Sequence, residues 1–211
     1  MPRVLNRHQE RLVGVYVGRG RGSTWGNPFS HLEVSAASFR VSTRDEAIAR
    51  YRSWLIGQPE LMYRARTELR GKDLACWCAP RPCHADILLG VANAPTVAVV
   101  GSRDYPRPEN VVQAVTWFCD HYPGWDLVSG GARGVDQLAA ATARARQVRV
   151  IEIKPDWSQG RGAGMDRNRA IVAQADVVVA FWDGQSPGTA NSIGHAQALG
   201  KQLLVVGIEP T

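Results

Sequence analysis

The stretch Trp125–Asp136 reads WDLVSGGARGVD. Leu127, Val128 and Ser129 have the composition of a short strand, Gly130-Gly131 that of a tight turn, and Val135-Asp136 begins an apolar helix. A strand, a glycine turn and a helix N-terminus together make an anion site. The glycines let backbone N–H groups approach a phosphate, and the helix end adds partial positive charge. The same residues also describe an ordinary glycine-rich βα turn. The neighbouring strand ends decide between the two.

Working outward, strand and helix patterns alternate. Strands are predicted at Thr96–Val100, Asp126–Ser129, Arg149–Ile153, Asp176–Phe181 and Gln202–Gly207. Helices are predicted between them at Glu109–His121, Val135–Arg146, Gly164–Ala175 and Pro187–Leu199. This alternation implies a Rossmann-like, parallel, five-stranded α/β sheet. VAVV, DVVVAF and LLVVG are near-continuous apolar runs, which suit strands buried on both faces. Gly101-Ser102-Arg103, Gly130-Gly131, Asp156-Trp157 and Asp183-Gly184 then fall at successive strand ends along one carboxyl edge, where open α/β sheets bind ligands. The GRGAGMDRN loop adds Arg161, Arg167 and Asn168, and SPGT at 186–189 adds a second phosphate cradle.

The expected division is a basic module of residues 1–93 followed by a Rossmannoid unit of residues 94–211, with Asn93-Ala94-Pro95 as the boundary. Residues 1–93 carry 14 Lys and Arg against 8 Asp and Glu, whereas residues 94–211 carry 11 of each. The whole net charge of +6 therefore sits in the first module, which is expected to meet something anionic, nucleic acid included. That module reads as a smaller α/β or α+β fold. It has a strand in residues 11–18, helices at Thr43–Ile56, Pro59–Leu69 and Ala85–Ala92, and a strand at Asp73–Cys78. Thr43 and Glu46 make a capping box, and Ala47, Ile48, Tyr51, Trp54 and Leu55 recur at helical spacing as core.

Two candidate sites stand out there. Arg19, Arg21, Trp25 and Asn27 share a glycine-rich loop that can wrap a phosphate and stack a base on Trp25. Cys76, Cys78, Cys83 and His84 crowd into nine residues. Their C-x-C-x4-C-H spacing is not the usual pair of knuckles, and three readings stand: a zinc site, a reactive thiol helped by His84 or Asp86, or small buried cysteines beside a helix cap. Apolar content of 45% with no run of about 18 apolar residues gives no membrane span. MPRVLNRHQERL has no apolar signal core, and the four cysteines do not form a secreted disulfide framework, so a cytoplasmic setting is expected.

GSR at 101–103, SGGARGVD at 129–136, PDW with GRGAGMDRN over 155–168 and DGQSPGT at 183–189 resemble the SLOG superfamily, within it the YspA-like group. The DprA (Smf) DNA-processing proteins and the LOG phosphoribohydrolases are more distant relatives. The resemblance covers residues 96–208 and implies a nucleotide or nucleotide-derived ligand and a homo-oligomer. WGNPF at 25–29 with LACWC and PCHAD over 74–86 resembles a separate family of unknown function. In the LOG pattern a catalytic glutamate follows the glycine-threonine pair by three residues. Here that position, counted from Gly188-Thr189, is Ser192, which cannot act as a carboxylate.

Three functions follow. The first is binding or sensing of a nucleotide, with phosphate at Gly130, Gly131 and Gly134, charge from Arg103 and Arg133, and a base on Trp157 or Trp182. Gly101, Ser102, Ser129, Asp136, Arg167, Asn168, Gly188 and Thr189 complete its expected wall. The second is an N-glycosidase or ribosyl transferase using Asp156 or Asp183, since cleaving a glycosidic bond needs acid help to the leaving base and stabilisation of an oxocarbenium-like sugar. Both aspartates also suit, and better, the capping of helices or of backbone N–H groups in their loops. The third is nucleic-acid binding led by the first module.

Overall fold

A computed structural model of the chain describes residues 1–8, 14–20, 22–33, 35–160 and 162–208. It divides into two compact units, Met1–Ala94 and Pro95–Thr211.

The second unit is the predicted five-stranded parallel sheet. Its strands are β6 (Thr96–Gly101), β7 (Asp126–Ser129), β8 (Arg149–Glu152), β9 (Val177–Phe181) and β10 (Gln202–Val206). They lie in the order β10-β9-β6-β7-β8. The chain steps from β6 outward to β8, then returns to place β9 on the other side of β6. Helices α4 (Pro108–His121) and α5 (Val135–Ala145) make the first two crossovers and pack on each other. Helices α6 (Ala163–Gln174) and α7 (Pro187–Ala198) make the return and also pack on each other. The order reverses between β6 and β9, where Gly101 pairs with Phe181 at the carboxyl ends. Adjacent crossovers leave in opposite directions there, which opens a crevice.

The strand period of two explains the core. Ala98, Val100, Val128, Val178 and Ala180 meet Ile171, Val172 and Ala196 of α6 and α7. The alternating Val97, Val99, Leu127 and Val179 are equally buried. Each such side chain contributes about 1.5–3 kcal/mol by leaving water. The apolar runs of β6 and β9 are buried as expected, but that of β10 is not. As the edge strand it leaves Leu204 56% and Val205 42% exposed.

The first unit holds a three-stranded parallel sheet, β1-β5-β2, from β1 (Val4–Asn6), β2 (Val15–Tyr16) and β5 (Leu74–Cys76). A small parallel pair joins β3 (Phe29–Ser30) to β4 (Phe39–Arg40). Of the strand expected in residues 11–18, residues 11–13 lie outside the described residues. Helices α1 (Arg44–Ile56), α2 (Pro59–Glu68) and α3 (His84–Ala92) supply the core with Tyr51, Leu55, Ala65, Leu88 and Val91. The Thr43 hydroxyl accepts from the Glu46 amide at 3.1 Å, as its capping role requires. The Glu46 carboxylate reaches back one residue further than a standard box, to the Ser42 amide at 3.0 Å.

Candidate functional site

In the second unit, the crevice between β6 and β9 contains a cavity of about 100 Å3. Gly101, Arg103, Asp136, Arg167, Thr189 and Ser192 are among its walls. The glycine turn forms one side, held differently from the sequence reading. The Gly130 amide donates to the Asp136 carboxylate at 3.1 Å and the Ala132 amide to the same oxygen at 3.4 Å. The Gly131 amide donates to Ser129 Oγ at 3.2 Å, and Arg167 donates to the Gly130 carbonyl at 2.6 Å. The Gly130 and Gly131 amides are therefore engaged by the protein itself.

The glycines serve close packing. Gly134 has φ +86°, and a Cβ there would sit 2.1 Å from the Arg103 carbonyl oxygen. A Cβ on Gly130 would overlap the Arg167 guanidinium. Only glycine lets the 101–103 turn, the 129–134 turn and Arg167 meet.

Asp136 and Arg167 bring opposite charges to this wall, beside Arg103. Burial pushes the Asp136 carboxyl up to about 6, against the opposing pull of the Ala132 and Gly130 amides and Arg167. Arg167 also keeps its Nε buried with no hydrogen-bond partner among the described residues. Across the cavity the N-terminus of α7 contributes Ser186, whose hydroxyl accepts from the Thr189 amide at 3.4 Å. Asn168 donates to the Gly188 carbonyl, and Ser192 Oγ donates to the same carbonyl, both at 3.2 Å. Arg103 also lines an adjoining hollow of about 250 Å3 with Tyr105, Val111, Val135 and Leu138.

The other expected site residues sit elsewhere. Arg133 is 70% exposed and pairs with Asp104 at 2.9 Å, a surface ion pair of small worth. Trp157 is 67% exposed on a 3-10 turn, Trp157–Gln159. Trp182 donates its indole N–H to the Ser186 carbonyl at 3.2 Å, which holds the 182–186 turn. Asp156 accepts from the hydroxyl and amide of Ser158 and from Gln159, and these bonds hold its carboxyl below the ordinary range. Asp183 accepts from the Ser186 and Gln185 amides at 2.8 and 2.9 Å, which lower it likewise. Both are ionised loop caps, and neither is among the cavity's walls. Arg161 lies outside the described residues.

In the first unit a cavity of about 310 Å3 opens at the carboxyl ends of β5 and β2. Arg19 and Asn27 line it. Arg19 donates to the Asn27 and Phe29 carbonyls, both at 3.1 Å, so it braces the loop. Trp25 departs from its expected stacking role. It is 6% exposed, packed in the core, and its carbonyl accepts from the Tyr51 hydroxyl. Trp77 is the exposed indole instead, at 48%. Arg21 lies outside the described residues.

Cys76 ends β5, Cys78 follows two residues on, and Cys83 caps α3. Their sulfur atoms lie within 4.8 Å of one another, and this cluster can hold a metal. Hydrogen bonds from Cys76 and Cys83 hold the Cys78 thiol well below its usual range, while the same sharing raises the other two. His84 does not join them. Its Nε2 lies 2.7 Å from the Val17 carbonyl, and burial lowers its pKa, so the ring is neutral. Asp86 accepts from the Cys83 amide at 2.7 Å and completes that helix cap.

Sequence reasoning missed the Asp136–Arg167 wall as a unit, because 31 residues separate its halves, and missed Arg44, His31 and Trp77 as cavity residues.

Residues 95–160 match the family described as YspA, cpYpsA-related SLOG family, and residues 4–94 match a domain of unknown function, DUF4326. The chain is 34% identical to the Gene 61 protein of Mycobacterium phage D29, over 54% of this chain and 98% of that protein. It is 30% identical to an uncharacterized 12.4 kDa protein from the nrdA-td intergenic region of Enterobacteria phage T4, over 43% and 77%. Two solved structures are similar over part of the chain. One is DNA processing protein A from Helicobacter pylori, described for its single-stranded DNA binding mode (22% identity, TM-score 0.44, 54% of this chain). The other is DprA from Streptococcus pneumoniae (19%, 0.46, 53%). The chain spans 66% and 50% of those two chains, less than two thirds of each.

Proposed function

The chain belongs, through residues 95–160, to the YspA, cpYpsA-related SLOG family, and we propose that its second unit binds a nucleotide or nucleotide-derived ligand by the phosphate. The observation that carries this reading is the cavity at the β6–β9 reversal, walled by Arg167 and the α7 N-terminus. An arginine whose buried Nε has no hydrogen-bond partner among the described residues, beside a helix N-terminus, favours an anion. About 100 Å3 is small against the 300 Å3 or more of a typical ligand pocket, so it suits a phosphate group with the nucleoside extending outward.

An N-glycosidase or ribosyl transferase on this crevice is the second reading. Asp156 and Asp183 are poor proton donors, being held ionised, whereas Asp136 is the wall carboxyl that carries a proton near pH 6. A binding protein returns offered nucleotides intact, and an enzyme releases free base detectable by chromatography. Mass spectrometry of ligand released from the denatured chain checks the binding reading. Absence of any nucleotide, with none bound when offered, contradicts it.

For the first unit we read Cys76, Cys78 and Cys83 as zinc ligands, supported by their mutual closeness. Nucleic acid is an alternative partner for this unit. The His8 ring lies tilted against Trp77 with centroids 4.5 Å apart, and Arg7 lies over the Tyr16 ring at 5.2 Å, an aromatic and basic surface. Affinity for single strands that falls steeply with salt supports that partner, and affinity indifferent to salt opposes it.

A further inference from the structure

We propose that a metal held by Cys76, Cys78 and Cys83 keeps a fourth position open to the first unit's cavity, where it takes an anionic oxygen donor, a phosphate or carboxylate group, with Arg44 as its counter-charge. This rests on the zinc reading of the three thiols and goes beyond it by giving the site a ligand.

The donor count comes first. A structural zinc site is closed by four protein ligands, while three leave a position for an exchangeable ligand. Three thiols converge here, and no further His, Cys, Asp or Glu joins them among the described residues. The two nearest candidates in sequence are engaged elsewhere. His84 holds Nε2 against the Val17 carbonyl, and neither of its ring nitrogens is among the clustered donor atoms; the Asp86 carboxylate is bonded to the Cys83 amide.

The direction of the open position follows from the walls. Cys76, Cys78 and Cys83 all line the cavity of about 310 Å3. A ligand completing a tetrahedron on these sulfurs therefore approaches from the cavity. That volume lies within the range of small-molecule pockets.

Charge selects the ligand. A divalent ion with three thiolates carries a net charge of −1, so an added anion needs positive neighbours. Arg19 and Arg44 line the same cavity. Arg19 directs Nη1 to two carbonyls, but Arg44 has no hydrogen bond or ion pair with the described residues. Arg44 opens α1, whose helix N-terminus adds partial positive charge, and Cys83 caps the N-terminus of α3. The two guanidinium groups and helix ends offset a metal–ligand unit of charge −2 with a carboxylate or −3 with a phosphate dianion. His31 and His84 both line the cavity, and neither belongs to the thiol cluster among the described residues.

Cobalt substitution in the full chain tests this. The cobalt form should show a near-ultraviolet thiolate band and intense visible bands of a tetrahedral site. Inorganic phosphate or acetate should shift the visible bands saturably and leave the thiolate band in place. Whichever of the two saturates at lower concentration identifies the donor class. Arg44→Ala should keep both bands and need at least about tenfold more anion. His31→Ala should leave the anion-free spectrum unchanged. A thiolate band with visible bands blind to both anions overturns the open position, and so does a His31→Ala spectrum that changes as if a ligand were lost. Absence of the thiolate band in folded protein overturns the metal reading and this inference together.

Discussion

Both cavities lie at the carboxyl ends of parallel strands, yet their walls differ in kind. The second unit's crevice is small, about 100 Å3, and its polar groups are bound to one another: Asp136 to the Gly130 and Ala132 amides, Arg167 to the Gly130 carbonyl. The first unit's cavity, about 310 Å3, presents three thiols bonded among themselves and Arg44, which has no hydrogen bond or ion pair with the described residues. One wall is preorganised by internal hydrogen bonds, and the other supplies donors for something added. Topology makes the first kind, since a reversal in strand order opens a crevice whatever fills it. Side-chain chemistry makes the second.

The contrast breaks first at Gly134. If the crevice wall depends on close loop packing, Gly134→Ala, which forces a Cβ against the Arg103 carbonyl at positive φ, should cost about 3 kcal/mol or more in denaturant unfolding. A change within experimental error would mean the two loops are not locked. Next comes Arg167→Met. It should weaken phosphate-ligand binding about 10- to 100-fold in calorimetry, the range of a charge-assisted hydrogen bond. The same variant should leave cobalt spectra of the first unit untouched.

A pH series sharpens the comparison. The Asp136 carboxyl is raised from about 3.9 to about 6 by burial, so the folded state holds its proton more tightly than the unfolded state. That contribution is fully present below about pH 4 and is lost as pH rises through about 6, a swing of order 3 kcal/mol. Relative to Asp136→Asn, the parent chain should therefore gain stability as pH falls from 7 to 5. A difference flat across that interval contradicts the buried assignment. Smaller still, Asp183→Ala should cost about 1 kcal/mol through lost loop capping and leave ligand binding intact. Loss of a base-releasing activity in Asp183→Asn would instead make this aspartate catalytic.

How much of this was legible depends on which signal each unit carries. The second unit's strands alternate with helices of ordinary length, so hydrophobic period located every one of them within about two residues. Position along the sheet was less legible. LLVVG and DVVVAF are both near-continuous apolar runs, yet one lies at the edge and the other beside the centre, because only topology assigns neighbours. The roles of Gly130 and Asp136 were also hidden. A glycine needed for close packing and a glycine needed for phosphate approach look alike in sequence, and Arg167, which distinguishes them, comes from a distant helix. In the first unit the cysteine crowding was visible, but not that β5 and the α3 cap would bring in three thiols and leave the imidazole out. Trp25 and Trp77 illustrate the same limit: flanking residues suggested that the first was the stacking surface, while packing buries it and exposes the second.

The central claim is that the β6–β9 crevice recognises a phosphate through Arg167. Calorimetric titration of the full chain with a nucleoside monophosphate and with the matching unphosphorylated nucleoside tests it directly. The account predicts saturable binding of the monophosphate, at least about tenfold weaker binding of the nucleoside, and loss of that preference in Arg167→Met. Equal binding of the two ligands, or a preference that survives in folded Arg167→Met, would contradict it.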